Sequence, residues 1–262
     1  MRSLRQYREL ILQMAKREVV GRYSGSIMGL AWSFFNPILM LLVYTFVFSV
    51  VFKARWGTGV DEDKSNFAIF LFVGMIVYGL FSEMVNRAPS FILSNANYVK
   101  KVVFPLEILP VIGLVSALFH AVISFDVLMA AILLIKGNME WTAIFFPLVL
   151  LPLLIATLGI CWFLASIGVY VRDVGQTVGV FTTVMMFLSP VFFPITALPE
   201  NLQVWMMLNP LTFIIEQSRA VMIVGKQPDW AGLGIYAIVS LIVAWAGYWW
   251  FQKTRKGFAD VL

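Results

Sequence analysis

Six long apolar runs decide what this chain can fold into: residues 27–52, 67–81 (extendable through Ser82), 106–135, 141–170, 177–195 and 233–251. A helix needs roughly 20 mainly apolar residues to cross the hydrocarbon core of a bilayer. Composition closes off a soluble alternative. Hydrophobic residues make up 61% of the chain and charged ones only 13%, against about 25% charged in an ordinary soluble domain. The surface of a water-soluble fold this size would have to be far more polar. The 23 Phe, 9 Trp and 8 Tyr suit aromatic belts at the membrane interfaces. The expected fold is therefore an all-α polytopic membrane protein with six transmembrane helices and a single domain spanning 1–262.

Charge gives the orientation. With both termini on one side, that side holds Arg2, Arg5, Arg8, Lys16, Arg17 and Arg22, then Arg87, Lys100 and Lys101, then Arg172, and finally Lys253, Arg255 and Lys256. The other side holds Lys53, Arg55, Lys64, Lys136, Arg219 and Lys226, with Asp61-Glu62-Asp63 among them. The basic side is expected to be cytoplasmic. The charged start, Met1 to Glu9, lacks the short apolar core of a signal peptide, so the first span is expected to direct insertion.

Three segments between or before the spans carry further information. In residues 1–22, Leu4, Tyr7, Ile11 and Met14 recur at helical spacing among polar residues. This reads as an amphipathic interface helix, either a membrane anchor or a docking surface. The loop 84–104 contains Arg87, Asn95, Asn97, Tyr98, Lys100 and Lys101 and ends at Phe104-Pro105. Proline restricts the residue before it and suits a first helical turn, so a new element begins near Pro105, and 88–98 reads as a short helix. In 196–231, two apolar pieces flank Asn209-Pro210, each too short to cross; Glu200, Glu216 and Arg219 make crossing costly. A pair of re-entrant or interfacial outer helices is expected; the rival is two further spans. Gly21, Gly25 and Gly29, and likewise Gly175 and Gly179, recur every four residues. Such spacing lets helix backbones approach closely in lipid, predicting that spans one and five pack together.

The sequence has no phosphate-cradling Gly-x-x-x-x-Gly-Lys-Ser/Thr loop, no His-Glu-x-x-His, and one cysteine, Cys161. No catalytic residue or metal site is expected. The lone His120 and Asp126 both fall in span three, but six residues turn a helix by about 240°, which puts them on different faces. They are the main support for a rival reading as an ion-coupled carrier. A membrane enzyme is the other rival, with Asp61-Glu62-Asp63 as its only metal candidate.

The motifs in order resemble those of type-2 ABC exporter permeases. They are Gly21-Arg22-Tyr23-Ser24-Gly25-Ser26 running into Gly29-Leu30-Ala31-Trp32-Ser33 and Asn36-Pro37; Phe104-Pro105-Leu106-Glu107-Ile108-Leu109-Pro110; Tyr170-Val171-Arg172-Asp173-Val174; and Leu188-Ser189-Pro190-Val191-Phe192-Phe193-Pro194, followed by Leu198-Pro199 and Asn209-Pro210. The branch they are most similar to exports polysaccharides: O-antigen, capsule or teichoic acid. The resemblance implies a homodimer of six-span subunits in the bacterial inner membrane, with two cytoplasmic ATPase subunits. It implies no cofactor in this chain, since ATP and Mg are bound by the ATPase partner. The substrate it implies is a glycan on a polyprenyl (pyro)phosphate lipid; no nucleic acid is involved. By the same resemblance, Arg87, Asn95, Asn97, Tyr98, Arg172 and Asp173 couple to the ATPase. Leu202, Trp205, Asn209, Pro210, Glu216 and Arg219 belong to an outer gate. Aromatic rings can stack on sugar faces while these slide past; Trp32, Phe34, Phe35, Tyr44 and Phe48, with Phe187, Phe192 and Phe193, are candidates to line that path. Arg22, Lys100 and Lys101 are candidates for the lipid pyrophosphate at the inner entrance.

Overall fold

The computed structural model describes residues 6–51, 64–100 and 104–262, and every regular element among them is helical. Five helices are long and apolar enough to cross a bilayer: Gly29–Phe48, Phe67–Arg87, Leu106–Lys136, Trp141–Tyr170 and Trp230–Val261. They match five of the six expected spans. The acidic trio 61–63 and Lys101 lie outside the described residues.

Helix α1 (Arg8–Arg22) buries Ile11, Ala15 and Val19. Their four-residue spacing makes one face, and that face packs on the third span. The expected stripe was rotated from this one: Tyr7 and Met14 sit at its flank, and Leu4 is outside the described residues. The chain then turns through Gly25 and Gly29, whose φ angles are 84° and 50°, a region that only glycine enters cheaply. It enters α2 (Trp32–Tyr44), which widens into a π-type stretch over Thr45–Val51. In α2 only Ser33 and Pro37 are buried.

Helix α3 (Lys64–Arg87) reaches six residues beyond the expected end of span two and is the central stave, buried along most of its length. Two short helices follow, α4 (Ser90–Leu93) and α5 (Ala96–Lys100), where one was expected over 88–98. The break falls at Ser94-Asn95, where the Asn95 side chain donates back to the Phe91 carbonyl (2.9 Å). Such a local side-chain bond competes with helix continuation. Helix α6 (Leu109–Lys136) starts just after Pro105 and has Pro110 in its first turn; it ends on Gly137 at φ 74°. Helix α7 (Phe146–Tyr170) likewise has a proline in its first turn.

The expected fifth span, 177–195, is not one continuous helix. Helix α8 (Val174–Phe187) has 14 residues, about 21 Å at 1.5 Å per residue, short of the ~30 Å hydrocarbon core. Ser189-Pro190 and Pro194 stop it, because proline lacks a donor and disfavours helical geometry in the residue before it. Then come α9 (Glu200–Met207), α10 (Pro210–Arg219) with a π-type extension over Ala220–Val224, α11 (Trp230–Thr254) and a last turn, α12 (Phe258–Val261).

The glycines that were expected to bring spans one and five together do not do so within the chain. No described atom comes within 4 Å of a Cβ placed on Gly21, Gly25, Gly29, Gly175 or Gly179. Close approach occurs instead between α7 and α11. A Cβ on Gly247 would sit 2.0 Å from the Gly159 carbonyl oxygen, and one on Gly159 would sit 2.6 Å from the Ala244 Cα. Backbone-to-backbone contact of this kind is how helices pack tightly in lipid, where dispersion rather than water exclusion holds them.

The interior falls into two apolar clusters. One joins Phe72, Ile76, Leu128, Phe146, Val149, Leu211, Ile215 and Met222 around the upper half of α3. The other gathers Ile11, Met84, Phe91, Ile108, Trp162, Phe251 and Phe258 at the opposite end.

Candidate functional site

The second cluster is capped by charge. Arg87, at the end of α3, is ion-paired with Glu18 of α1 and lies 3.4 Å from Glu83, which is itself paired with Arg22. The Arg87 guanidinium also lies over the Phe91 ring, 5.6 Å from its centroid. The four side chains tie α1 to α3 and to the loop beyond it. All four are partly exposed, and exposed pairs are worth about 0–1 kcal/mol each. A double-mutant cycle of Glu18→Gln and Arg87→Gln is expected to give a coupling of about 0.5–1 kcal/mol in thermal unfolding, shrinking in 1 M salt. A coupling of zero at low salt would show that α1 is held by its apolar face alone.

Other segments converge on the same end. Helix α4 presses on α7 so closely that a Cβ on Gly168 would meet the Pro89 carbonyl at 2.4 Å. Arg255 pairs with the buried Glu107 at 3.1 Å, and Trp162 donates to the Glu107 carbonyl at 3.0 Å. The Tyr170 hydroxyl donates to the Thr254 carbonyl at 2.9 Å. Phe258 is fully buried against Phe251 and Tyr170. The six residues expected to couple lie in the segments at this end, in different settings. Arg87 holds the charge cluster, Tyr98 stacks on Phe104 (centroids 4.5 Å apart), Asn97 is exposed, and Arg172 and Asp173 are exposed in the turn between α7 and α8. Asn95 spends its amide on the helix break.

The opposite end is pinned by a cation. Arg219 is 2% exposed. Its Nε donates to the Phe70 carbonyl (3.0 Å), one Nη to the Val191 carbonyl (3.0 Å) and the other to Glu216 (2.8 Å). Gly74 makes room for it: a Cβ there would stand 2.8 Å from the guanidinium. Asn209 caps α10 by accepting from Leu211 N, and donates to the Leu188 carbonyl and to Ser189 Oγ at 2.8 and 2.9 Å. Thr142 donates to the Val221 carbonyl at 2.6 Å. Pro210 opens α10, whose inner face is buried, whereas Leu202 and Trp205 on α9 are exposed. The two arms of the expected outer pair are therefore unequal: α10 is built into the bundle and α9 lies on its surface.

The expected path aromatics divide. Phe48 stacks with Phe67 (5.5 Å) and Phe192 (5.9 Å), and Phe187 sits 6.0 Å from Phe192. This ladder joins the end of span one to the break after α8. Phe193 is half-buried beside it in sequence. Phe34 and Phe35 are exposed on α2, Trp32 donates to Ser26 Oγ at 3.1 Å at the other end, and Tyr44 lines a cavity between α2, α3 and α6. Of the three expected basic entrance groups, Arg22 is neutralised by Glu83, while Lys100 closes α5. Sequence reasoning missed Glu18 and Glu83, although Glu18/Arg22 and Glu83/Arg87 both stand at the four-residue spacing that pairs charges on a helix. Asp126 is exposed, and no ion pair joins it to His120 among the described residues. The described residues hold no cluster of metal-ligating side chains.

A bundle of apolar helices, knotted by charge at one end and pinned around an arginine at the other, is the frame of a polytopic membrane protein. The chain belongs to the ABC-2 type transporter family, whose profile matches residues 9–223. It is 31% identical to the O-antigen export system permease protein RfbA of Myxococcus xanthus over 99% of this chain and 97% of that one. It is also 23% identical to the polysialic acid transport protein KpsM of Escherichia coli over 88% of each chain. With the capsule polysaccharide export inner-membrane protein CtrC of Neisseria meningitidis serogroup B it shares 28% identity, over 83% of this chain and 80% of the relative.

Proposed function

We propose that this chain is the membrane-spanning subunit of an ATP-driven exporter that carries a lipid-linked polysaccharide from the cytoplasm across the bacterial inner membrane. The observation that carries the reading is end-to-end similarity to an O-antigen export permease, in a chain whose basic end carries two separate sets of ion pairs, Glu18–Arg87–Glu83–Arg22 and Arg255–Glu107. On this reading two copies pair, two cytoplasmic ATPase subunits bind ATP and Mg, and both termini face the cytoplasm. Loop 84–104 and the Arg172-Asp173 turn receive the ATPase. Helix α8 together with 188–195 makes the sixth crossing, and α9–α10 form the outer, re-entrant gate. Similarity to KpsM and CtrC supports capsule polysaccharide as the second candidate cargo.

Depleting the protein in its host tests this. The expected result is loss of a surface polysaccharide and accumulation of its lipid-linked precursor on the inner face of the membrane. Unchanged surface polysaccharide would sink the reading. Sugar analysis of the accumulated polymer separates O-antigen from capsule.

A further inference from the structure

The seam between α7 and α11 leaves a groove on its outer side. Gly159 and Gly247 bring the two backbones together, and the side chains beside them stand apart: Ile160 and Phe163 on α7, Val243, Ala246 and Trp250 on α11. The space between measures about 370 Å³, and its walls are apolar. Phe163, Ala246 and Trp250 are exposed, so the groove opens away from the bundle. Residues 243, 246 and 250 share one helical face. Lys253 continues that face three residues on, and Lys256 follows in the next turn.

Positive charge gathers at this end of the groove. The Lys253 ammonium lies over the ring of Trp249, another lining residue, 5.1 Å from its centroid. Such a contact holds the cation in place. Arg255 is spent on Glu107, but neither Lys253 nor Lys256 is ion-paired among the described residues. Tryptophans followed at once by basic side chains mark the level of lipid headgroups. Lys253 stands seven residues beyond Ala246, about 10 Å along a helix. Apolar walls at hydrocarbon depth therefore lead to free cations at headgroup level. A hydrocarbon chain suits the first and a phosphate the second, and basic sites beside transmembrane helices select anionic headgroups. The lysines favour lipid over a further apolar helix, which would bring no anion to meet them.

We propose that this groove is a binding site for an anionic phospholipid, with one acyl chain along the α7–α11 seam and the phosphate held by Lys253 and Lys256. The proposal needs only that the chain spans a membrane, so it stands or falls apart from the export reading.

The full chain is reconstituted in vesicles of phosphatidylethanolamine and phosphatidylglycerol. A trace of one or the other lipid carries a diazirine in its acyl chain, and the residues labelled on irradiation are mapped by mass spectrometry. Trp245, exposed on another face of α11, is the control. The phosphatidylglycerol probe is expected to label Ile160, Phe163, Ala246 and Trp250 in excess over Trp245, and the phosphatidylethanolamine probe to label both faces alike. Lys253→Gln is expected to cut the excess about fivefold, the worth of one basic side chain at an anionic surface. Adding Lys256→Gln is expected to abolish it, and Lys253→Arg alone to keep it. Both lysines are exposed, so the variants leave the packed seam intact. Equal labelling of the groove and Trp245 by the phosphatidylglycerol probe would reduce the groove to ordinary boundary lipid and overturn the proposal. So would a groove labelled equally by the two probes, an excess that the glutamine variants leave unchanged, or a groove that takes no label because a second helix covers it.

Discussion

Arg219→Leu is expected to remove most of the folded protein from the membrane. Leucine approximates the volume of the arginine stem but satisfies none of its partners. The Val191 carbonyl loses the Nη that reaches it across 28 residues, and Glu216 loses its cation. Deleting one partner from a buried charged network costs about 3–5 kcal/mol, a large part of the stability of an ordinary domain. Arg219→Lys keeps the charge but not the planar fork that reaches three acceptors at once, so an intermediate loss is expected. Both are read from membrane yield and thermal unfolding in detergent. If Arg219→Leu unfolds at the wild-type temperature, α10 is held by its apolar face and the arginine is no pin.

The second large effect is expected at the α7–α11 crossing. Gly247→Ala adds one methyl group where the Gly159 carbonyl already stands 2.0 Å from the Cβ position. Backbone cannot swing aside as a side-chain tip can, so the two helices must separate. Overpacking of this kind costs about 1–3 kcal/mol, and Gly247→Leu should exceed it. The control lies on the same helix: Gly234 has no described atom within 4 Å of its Cβ position, so Gly234→Ala is expected to be neutral or stabilising by up to about 1 kcal/mol. Equal melting of the two alanine variants would remove the case for a backbone-to-backbone seam.

The contrast between these sites shows what the sequence could reveal. Membrane crossing demands length and apolarity, and both are local. Spans such as 141–170 were therefore legible to the residue, and Phe104-Pro105 announced the start of the third. The early end of α8 at Phe187 was harder to see, because residues through Ile195 stay apolar; the stop signal was Ser189-Pro190, which a reading by hydropathy passes over. Arg219 was legible only as a cost of crossing. Its partners are main-chain carbonyls at Phe70 and Val191, and main-chain groups carry no sequence signature. The same holds for the glycines. Gly25 and Gly29 stood at a suggestive interval but serve a turn, while Gly159 and Gly247 have no local pattern and meet only because two helices cross there. At the charged end, the paired four-residue intervals of Glu18/Arg22 and Glu83/Arg87 were readable, but their joining into one network depends on how α1 docks.

The fully buried Phe258 has a consequence for how such a chain can change over evolutionary time. It sits in one apolar cluster with Ile11 from the first helix, Phe91 from the loop after α3 and Phe251 from the last long helix. Three widely separated stretches of sequence, around residues 11, 91 and 251–258, therefore share a single volume. A larger ring at any of them must be matched by a smaller one at another, so substitutions here are constrained to occur in compensating sets, even though no two of these stretches are neighbours in the chain.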